Sequence, residues 1–205
     1  MKAINKNILA VAKIASTDKI NRPLLQGVLI TPDHYIATDS VLMLEVSRSK
    51  DLDVKDFPTL TNQKLETSIN RNIKLNAEQI LKKIKFNKNK TLPALESAVL
   101  ANENDDFVEV VTTDLESYSK QGIRKVKGGF PDFSPVIPED KNCLANSLVD
   151  IELTIKLLKS MRECGDTSVE FSLFSKGQQK GGPYCPLKLK GNSGDTLGLI
   201  MPKEK

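Results

Sequence analysis

The sequence predicts an α+β protein in which a unit of one helix followed by about three antiparallel strands occurs three times. Three observations carry that expectation. Apolar residues recur with helical spacing at the start of the chain, near residue 80 and near residue 155. Each of these stretches is followed by strand-like runs separated by turn residues. A local echo also joins the first two groups. Arg22-Pro23-Leu24-Leu25 then Val28-Leu29 corresponds to Leu92-Pro93-Ala94-Leu95 then Val99-Leu100, and each precedes a strand ending in Thr-Asp, at Thr38-Asp39 and Thr113-Asp114. Self-similarity of this kind marks a duplicated supersecondary unit. An antiparallel sheet with helices packed on one face is the architecture it implies.

In chain order, Ile4, Ile8, Val11 and Ile14 or Ala15 form the first stripe, with Lys6 and Lys13 on other faces. Strand-like runs follow at 24–31, 34–38 and 41–47, the last alternating as Val-Leu-Met-Leu-Glu-Val. Ala77, Ile80, Leu81 and Ile84 form the second stripe, with Asn76 as N-cap and Lys82 and Lys83 turned away. Runs at 94–101, 107–113 and 117–126 come next. The third stripe is Ile151, Ile155, Leu158 and Met161, with Lys156, Lys159 and Arg162 outside it and Gly165 placed to end the helix. Runs at 169–174, 186–190 and 196–201 complete the pattern, and 102–106, 177–182 and 191–195 read as turns. The expected organisation is 1–138 as one domain of two units (about 1–62 and 63–138), then 139–205 as a half-domain holding the third unit.

Between the second and third units lies Gly128-Gly-Phe-Pro-Asp-Phe-Ser-Pro-Val-Ile-Pro138. Its prolines forbid helix interior and central strand, and each pushes the preceding residue toward extended geometry. Phe130, Phe133, Val136 and Ile137 are too apolar for a solvated linker. A stiff apolar connector has to lie against a folded surface, so it reads as a fixed seam.

Composition narrows the function. Hydrophobic residues at 39% and charged residues at 27% are ordinary for a globular protein, and no apolar run reaches the roughly 18 residues that span a bilayer. The start of the chain is interrupted by Lys13 and is read as an amphipathic helix rather than a secretory signal. Cys143, Cys164 and Cys185 are far apart and, with the single His34, offer no metal-ligand spacing. They read as reduced thiols of a cytoplasmic protein. No residue set resembles a nucleophile with its base, so no catalytic residue, metal or cofactor is expected. Asp39 and Asp114 occupy equivalent places in the repeat, which points to a turn role rather than a catalytic pair. The net charge is only +4, yet basic residues cluster at 71–90 and 120–127. Such clusters are either a solvated face or a surface for a phosphate backbone.

The stretches Arg22-Pro-Leu-Leu-Gln-Gly-Val-Leu-Ile, Ala37-Thr-Asp-Ser, Gly129-Phe-Pro-Asp-Phe-Ser-Pro-Val-Ile-Pro and Leu199-Ile-Met-Pro together resemble the bacterial sliding clamp, the β subunit of DNA polymerase III. Residues 1–138 follow the family's middle domain in order and spacing, and 143–202 look like the second half of its last domain. The chain departs from the pattern at Ser40-Val41-Leu42, where the family has Gly or Ser, then His and Arg, and at the closing Lys203-Glu204-Lys205.

The resemblance implies repeated helix-plus-sheet units of the DNA clamp (processivity) fold, with sheets outside and helices lining a hole for duplex DNA. By that match Lys13, Lys82, Lys83, Lys156, Lys159 and Arg162 would face DNA, contacting phosphates without reading sequence. Family rings contain twelve units, so three units per chain would need four chains, a homo-oligomer. The family also captures short peptides from polymerases, the clamp loader and repair factors in an apolar pocket. Leu25, Thr38, Ser40, Val41, Pro131, Val136, Leu199, Met201 and Pro202 would line it here. The function so implied is that of a non-enzymatic processivity factor tethering a DNA polymerase or other partner to duplex DNA. The alternative is a clamp-fold adaptor or decoy that binds such peptides without encircling DNA.

Overall fold

The computed structural model describes residues 2–58, 72–87, 92–133, 135, 137, 149–172 and 187–201. Period-two alternation organises them. In strands β2 (Gly27–Ile30), β3 (His34–Thr38) and β4 (Leu42–Ser47), Val28, Ile30, Tyr35, Ala37, Leu42, Leu44 and Val46 face the main core. Leu29, Ile36 and Met43, the residues between them, pack on the opposite face. A sheet with both faces apolar has to be covered on both sides, and it is.

Helices cover one side. Helix α1 (Asn7–Ala12) buries Ile8, Ala10, Val11 and Ala12 and lies between α2 (Ala77–Lys83) and α3 (Ile151–Glu163). Asn76 caps α2 as expected, its Oδ1 accepting from Gln79 N at 2.9 Å, and Asp150 caps α3 by accepting from Leu153 N at 3.0 Å. Gly165, at φ +105, ends α3, and its N–H donates to Arg162 O at 3.0 Å.

The remaining strands are β1 (Ile4–Asn5), β5 (Ile73–Asn76), β6 (Ser97–Glu103), β7 (Phe107–Thr113), β8 (Tyr118–Arg124), β9 (Val169–Ser172), β10 (Leu187–Gly191) and β11 (Thr196–Ile200). All pairings are antiparallel, in a four-stranded sheet of order β1-β6-β7-β8 and a seven-stranded sheet of order β5-β2-β3-β4-β11-β10-β9. The first two units therefore exchange their leading strands: β1 pairs with β6, and β5 pairs with β2. Two reciprocal hydrogen bonds seal the exchange, Lys6 N to Glu96 O at 3.2 Å and Ala77 N to Gln26 O at 2.9 Å. The strands of the third unit extend the first unit's sheet, because β11 pairs with β4 from Thr196 opposite Val46 to Ile200 opposite Leu42. One continuous core runs through all three units and includes Ile4, Leu44, Ile80, Leu157, Met161 and Ile200.

Several sequence expectations are corrected. Ile4 belongs to β1, not to a helix, because its backbone pairs with Ala98. Leu24–Leu25 and Ala94–Leu95 lie in short 3-10 turns, Pro23–Leu25 and Pro93–Glu96, ahead of their strands; proline at the first position suits a helical turn. On α3 the buried face is Leu157, Ser160 and Met161, whereas Ile151 is 73% exposed and Ile155 39%. Leu81 on α2 is also exposed. The expected turn at 177–182 lies outside the described residues, as do Cys143 and Cys185. Cys164 is half-buried, and burial pushes its thiol up to about 12.

The exchange junction is pinned by a buried polar cluster. Arg48, 5% exposed, donates from Nε to Asp51 Oδ2 at 2.9 Å and from its terminal nitrogens to the carbonyls of Thr31 (2.6 Å) and Lys2 (2.8 Å). Tyr35 donates its hydroxyl to Asp51 and accepts from Asn5 N at 3.0 Å. Burial raises the Asp51 carboxyl above its usual range, and it raises the Tyr35 phenol well above its own.

Candidate functional site

The connector covers the outer face of the seven-stranded sheet. Phe130, Phe133 and Ile137 pack against Leu29, Ile36, Met43 and Leu199, and the two phenylalanine rings meet edge-to-face at 6.1 Å. Beside it opens an apolar depression of about 170 Å³ lined by Leu25, Thr38, Ser40, Val41, Leu42, Met43, Pro131, Asp132, Phe133, Leu199 and Met201. The structure thus brings together seven of the residues singled out in the sequence: Leu25, Thr38, Ser40, Val41, Pro131, Leu199 and Met201. Val136 and Pro202 lie outside the described residues. The sequence reading missed Leu42, Met43 and Asp132, and it marked Phe133 only as one of the apolar side chains of the connector. The signal for Leu42 and Met43 was present in the alternation of β4.

Each wall is set by local structure. The Thr-Asp-Ser turn is held by Asp39 Oδ1, which accepts from Val41 N at 2.9 Å and Leu42 N at 2.7 Å, and by Thr38 Oγ1, which donates to Leu42 O at 2.7 Å. Asp114 does the same in the second unit, accepting from Glu116 N at 3.0 Å and Ser117 N at 2.6 Å. Those backbone N–H groups, Ser117 first, hold its carboxyl below the usual range. Both aspartates have the expected turn geometry. Arg22 Nη1 donates to Asp39 O at 2.6 Å, which ties the 23–25 turn to the Thr-Asp-Ser turn. Met201 N donates to Val41 O at 3.1 Å, which ties the last strand to the same turn.

Of the basic candidates, Lys82 and Lys83 lie on α2, Lys156, Lys159 and Arg162 on α3, and Lys13 directly after α1. Most are engaged. Lys13 Nζ pairs with Glu163 at 2.6 Å, Lys82 Nζ with Glu78 at 2.6 Å, and Lys156 Nζ lies 3.8 Å from Asp39. Lys83 Nζ donates to Gly122 O at 2.7 Å. Lys19 also pairs with Glu78, at 2.8 Å; the hydrogen bonds from Lys19 and then Lys82 hold this carboxyl at about 2. Lys159 and Arg162, both exposed on α3, have no ion-pair partner among the described residues. In the second basic cluster, Lys125 pairs with Glu103 at 2.8 Å and Lys127 with Asp106 at 2.9 Å. No group of His, Cys, Asp and Glu among the described residues is arranged to hold a metal ion, and no helix of the described chain is long and apolar enough to cross a membrane.

No protein-family model matches the sequence, and no curated protein matches it. Solved structures do. The DNA polymerase sliding clamp of Bacillus subtilis superposes with a TM-score of 0.63 at 14% identity, covering 100% of this chain and 64% of that one. The Pseudomonas aeruginosa sliding clamp bound to griselimycin gives 0.53 at 12% identity, over 100% of this chain and 66% of that one. Proliferating Cellular Nuclear Antigen from Entamoeba histolytica gives 0.51 at 12% identity, over 96% and 93%. The chain spans less than two thirds of the Bacillus clamp's length. The chain thus has the fold of these sliding clamps, DNA polymerase III β subunits among them.

Proposed function

We propose that the chain is a processivity factor of the sliding-clamp type, which tethers a polymerase or another partner to duplex DNA by capturing a short apolar peptide. The observation that supports this is the depression beside the connector. Four segments converge there, 22–25, 38–43, 131–133 and 199–201, the first and last of them hydrogen-bonded to the Thr-Asp-Ser turn, and the surface left open is apolar with a methionine on its wall. A flexible thioether suits a groove that has to adapt to more than one peptide. The test is fluorescence anisotropy with a labelled hexapeptide carrying adjacent Leu and Phe, competed with griselimycin. Wild type is expected to bind, and Met201→Asp to weaken binding by at least about tenfold with an unchanged unfolding midpoint. A wild type that takes neither ligand overturns the reading.

One observation favours a second reading, an adaptor that captures such peptides without encircling DNA. Lys13, Lys82 and Lys83 are tied to protein acceptors, so fewer cations remain to release counterions from DNA. Reversing the charge of Lys159 and Arg162 separates the two. It lowers retention on nicked circular duplex if DNA is held by the helix face and changes nothing if it is not.

A further inference from the structure

We propose that Lys74 is the positioning residue of the groove: one buried ammonium fastens two of its walls, the connector and the 23–25 turn, to strand β5. The inference rests on the peptide-capture reading above, but its structural part can be tested without it. Ile73 and Leu75 face the main core, so Lys74 between them points to the outer face, opposite Leu29 in the sheet register. Its residue is only 7% exposed. There Nζ lies 2.9 Å from Gly128 O, 3.2 Å from Gly129 O and 3.4 Å from Leu24 O. An ammonium has three donors, and here three carbonyls receive them. No carboxylate pairs with Lys74 among the described residues. Burial accordingly lowers its pKa below the usual lysine value.

The surroundings are shaped to this contact. A Cβ on Gly27 would stand 2.7 Å from Lys74 Cγ, so the lysine stem crosses bare backbone. Gly128 has φ +90, and a Cβ there would meet Leu24 Cδ2 at 2.6 Å; glycine lets the chain turn its carbonyls back onto the ammonium. From Gly129 the chain reaches Pro131 in two residues, and Leu24 is bonded to Leu25, so the acceptors adjoin groove residues on both sides. An unpaired buried ammonium is a costly way to fill space, which methionine would fill more cheaply. What the ammonium adds is direction: it draws both segments to one point.

The test compares wild type with Lys74→Met, each labelled with fluorinated phenylalanine. The variant is expected to shift the Phe130 and Phe133 resonances, leave those of Phe57 and Phe107 in place, keep the unfolding midpoint, and weaken the labelled hexapeptide about tenfold. Unmoved Phe130 and Phe133 resonances with unchanged affinity would overturn the proposal. A wild type that does not bind the hexapeptide sinks the groove reading, and the resonances still decide whether Lys74 holds the connector. Should Lys74→Met not fold, Lys74→Gln, with two N–H donors in place of three, is read by the same signals.

Discussion

Ser40 and Leu115 occupy one position in two copies of the same turn, at φ +82 and +78. Each follows a Thr-Asp pair whose side chains have taken up the neighbouring backbone groups, with Ser40 N donating to Thr38 Oγ1 at 3.1 Å and Leu115 N to Thr113 Oγ1 at 2.9 Å. The hydrogen bonds impose the left-handed conformation on residues that do not favour it. Leu115 is also 41% exposed, so its side chain returns little packing. Leu115→Gly is therefore expected to stabilise the protein by about 1 kcal/mol, seen as a higher urea midpoint with the same slope. This part of the site was half legible in the sequence. The paired Thr-Asp motifs announced two structural turns, because aspartate and threonine bond to nearby N–H groups wherever they find them. Nothing in a serine and a leucine announced the positive φ that follows.

The three helices show where periodicity reasoning holds and where it runs out. In α2 the N-cap at Asn76 and the burial of Ala77 and Ile80 were readable, because a cap and a stripe agreed. In α3 the expected stripe is right only at its C-terminal end: Ile151 and Ile155 are exposed, whereas Leu158 packs against the core and Met161 is buried in it. The true core face runs through Leu157, Ser160 and Met161, where a small polar residue dilutes the signal. Ser160 satisfies its hydroxyl within the helix, donating to Lys156 O at 3.1 Å. Gly198 lies beneath, where a Cβ would stand 2.8 Å from Leu157 Cδ2, so helix and strand approach closely. Leu157→Ala should cost about 2–5 kcal/mol, while Ile151→Ala stays within about 0.5, a contrast that denaturant titration resolves directly. Strands β1 and β5 escaped notice for a different reason. At two and four residues they are too short for alternation to register, and each leads into a helix, the stripe of the first having absorbed Ile4. The connector was legible in kind, since its prolines and phenylalanines required a surface to lie on. Its neighbours were not legible in the residues themselves, because Ile36 and Met43 lie far before it in sequence and Leu199 far after it; only the resemblance set it beside Leu199.

At the scale of the whole molecule, three helix-plus-sheet units form one body with an outermost described strand, β9, whose Phe171 is 49% exposed. Unpaired strand edges invite another chain. If rings of twelve units are the working form, light scattering should report four chains per particle at micromolar concentration, and a persistent monomer would rule out that assembly. The exchange of β1 and β5 has a consequence of another kind, for the time course of synthesis. While the chain is being made, β2 has no outer neighbour until residues 73–76 have emerged, and β1 has none until 97–98 follow. The first half therefore cannot finish folding by itself, and both halves close together, through contacts between residues about 50 to 90 positions apart. Such long loops slow the search for the native pairing. Once closed, each half holds a strand of the other, and a single cut in the stretch between β4 and β5 would leave the two fragments joined.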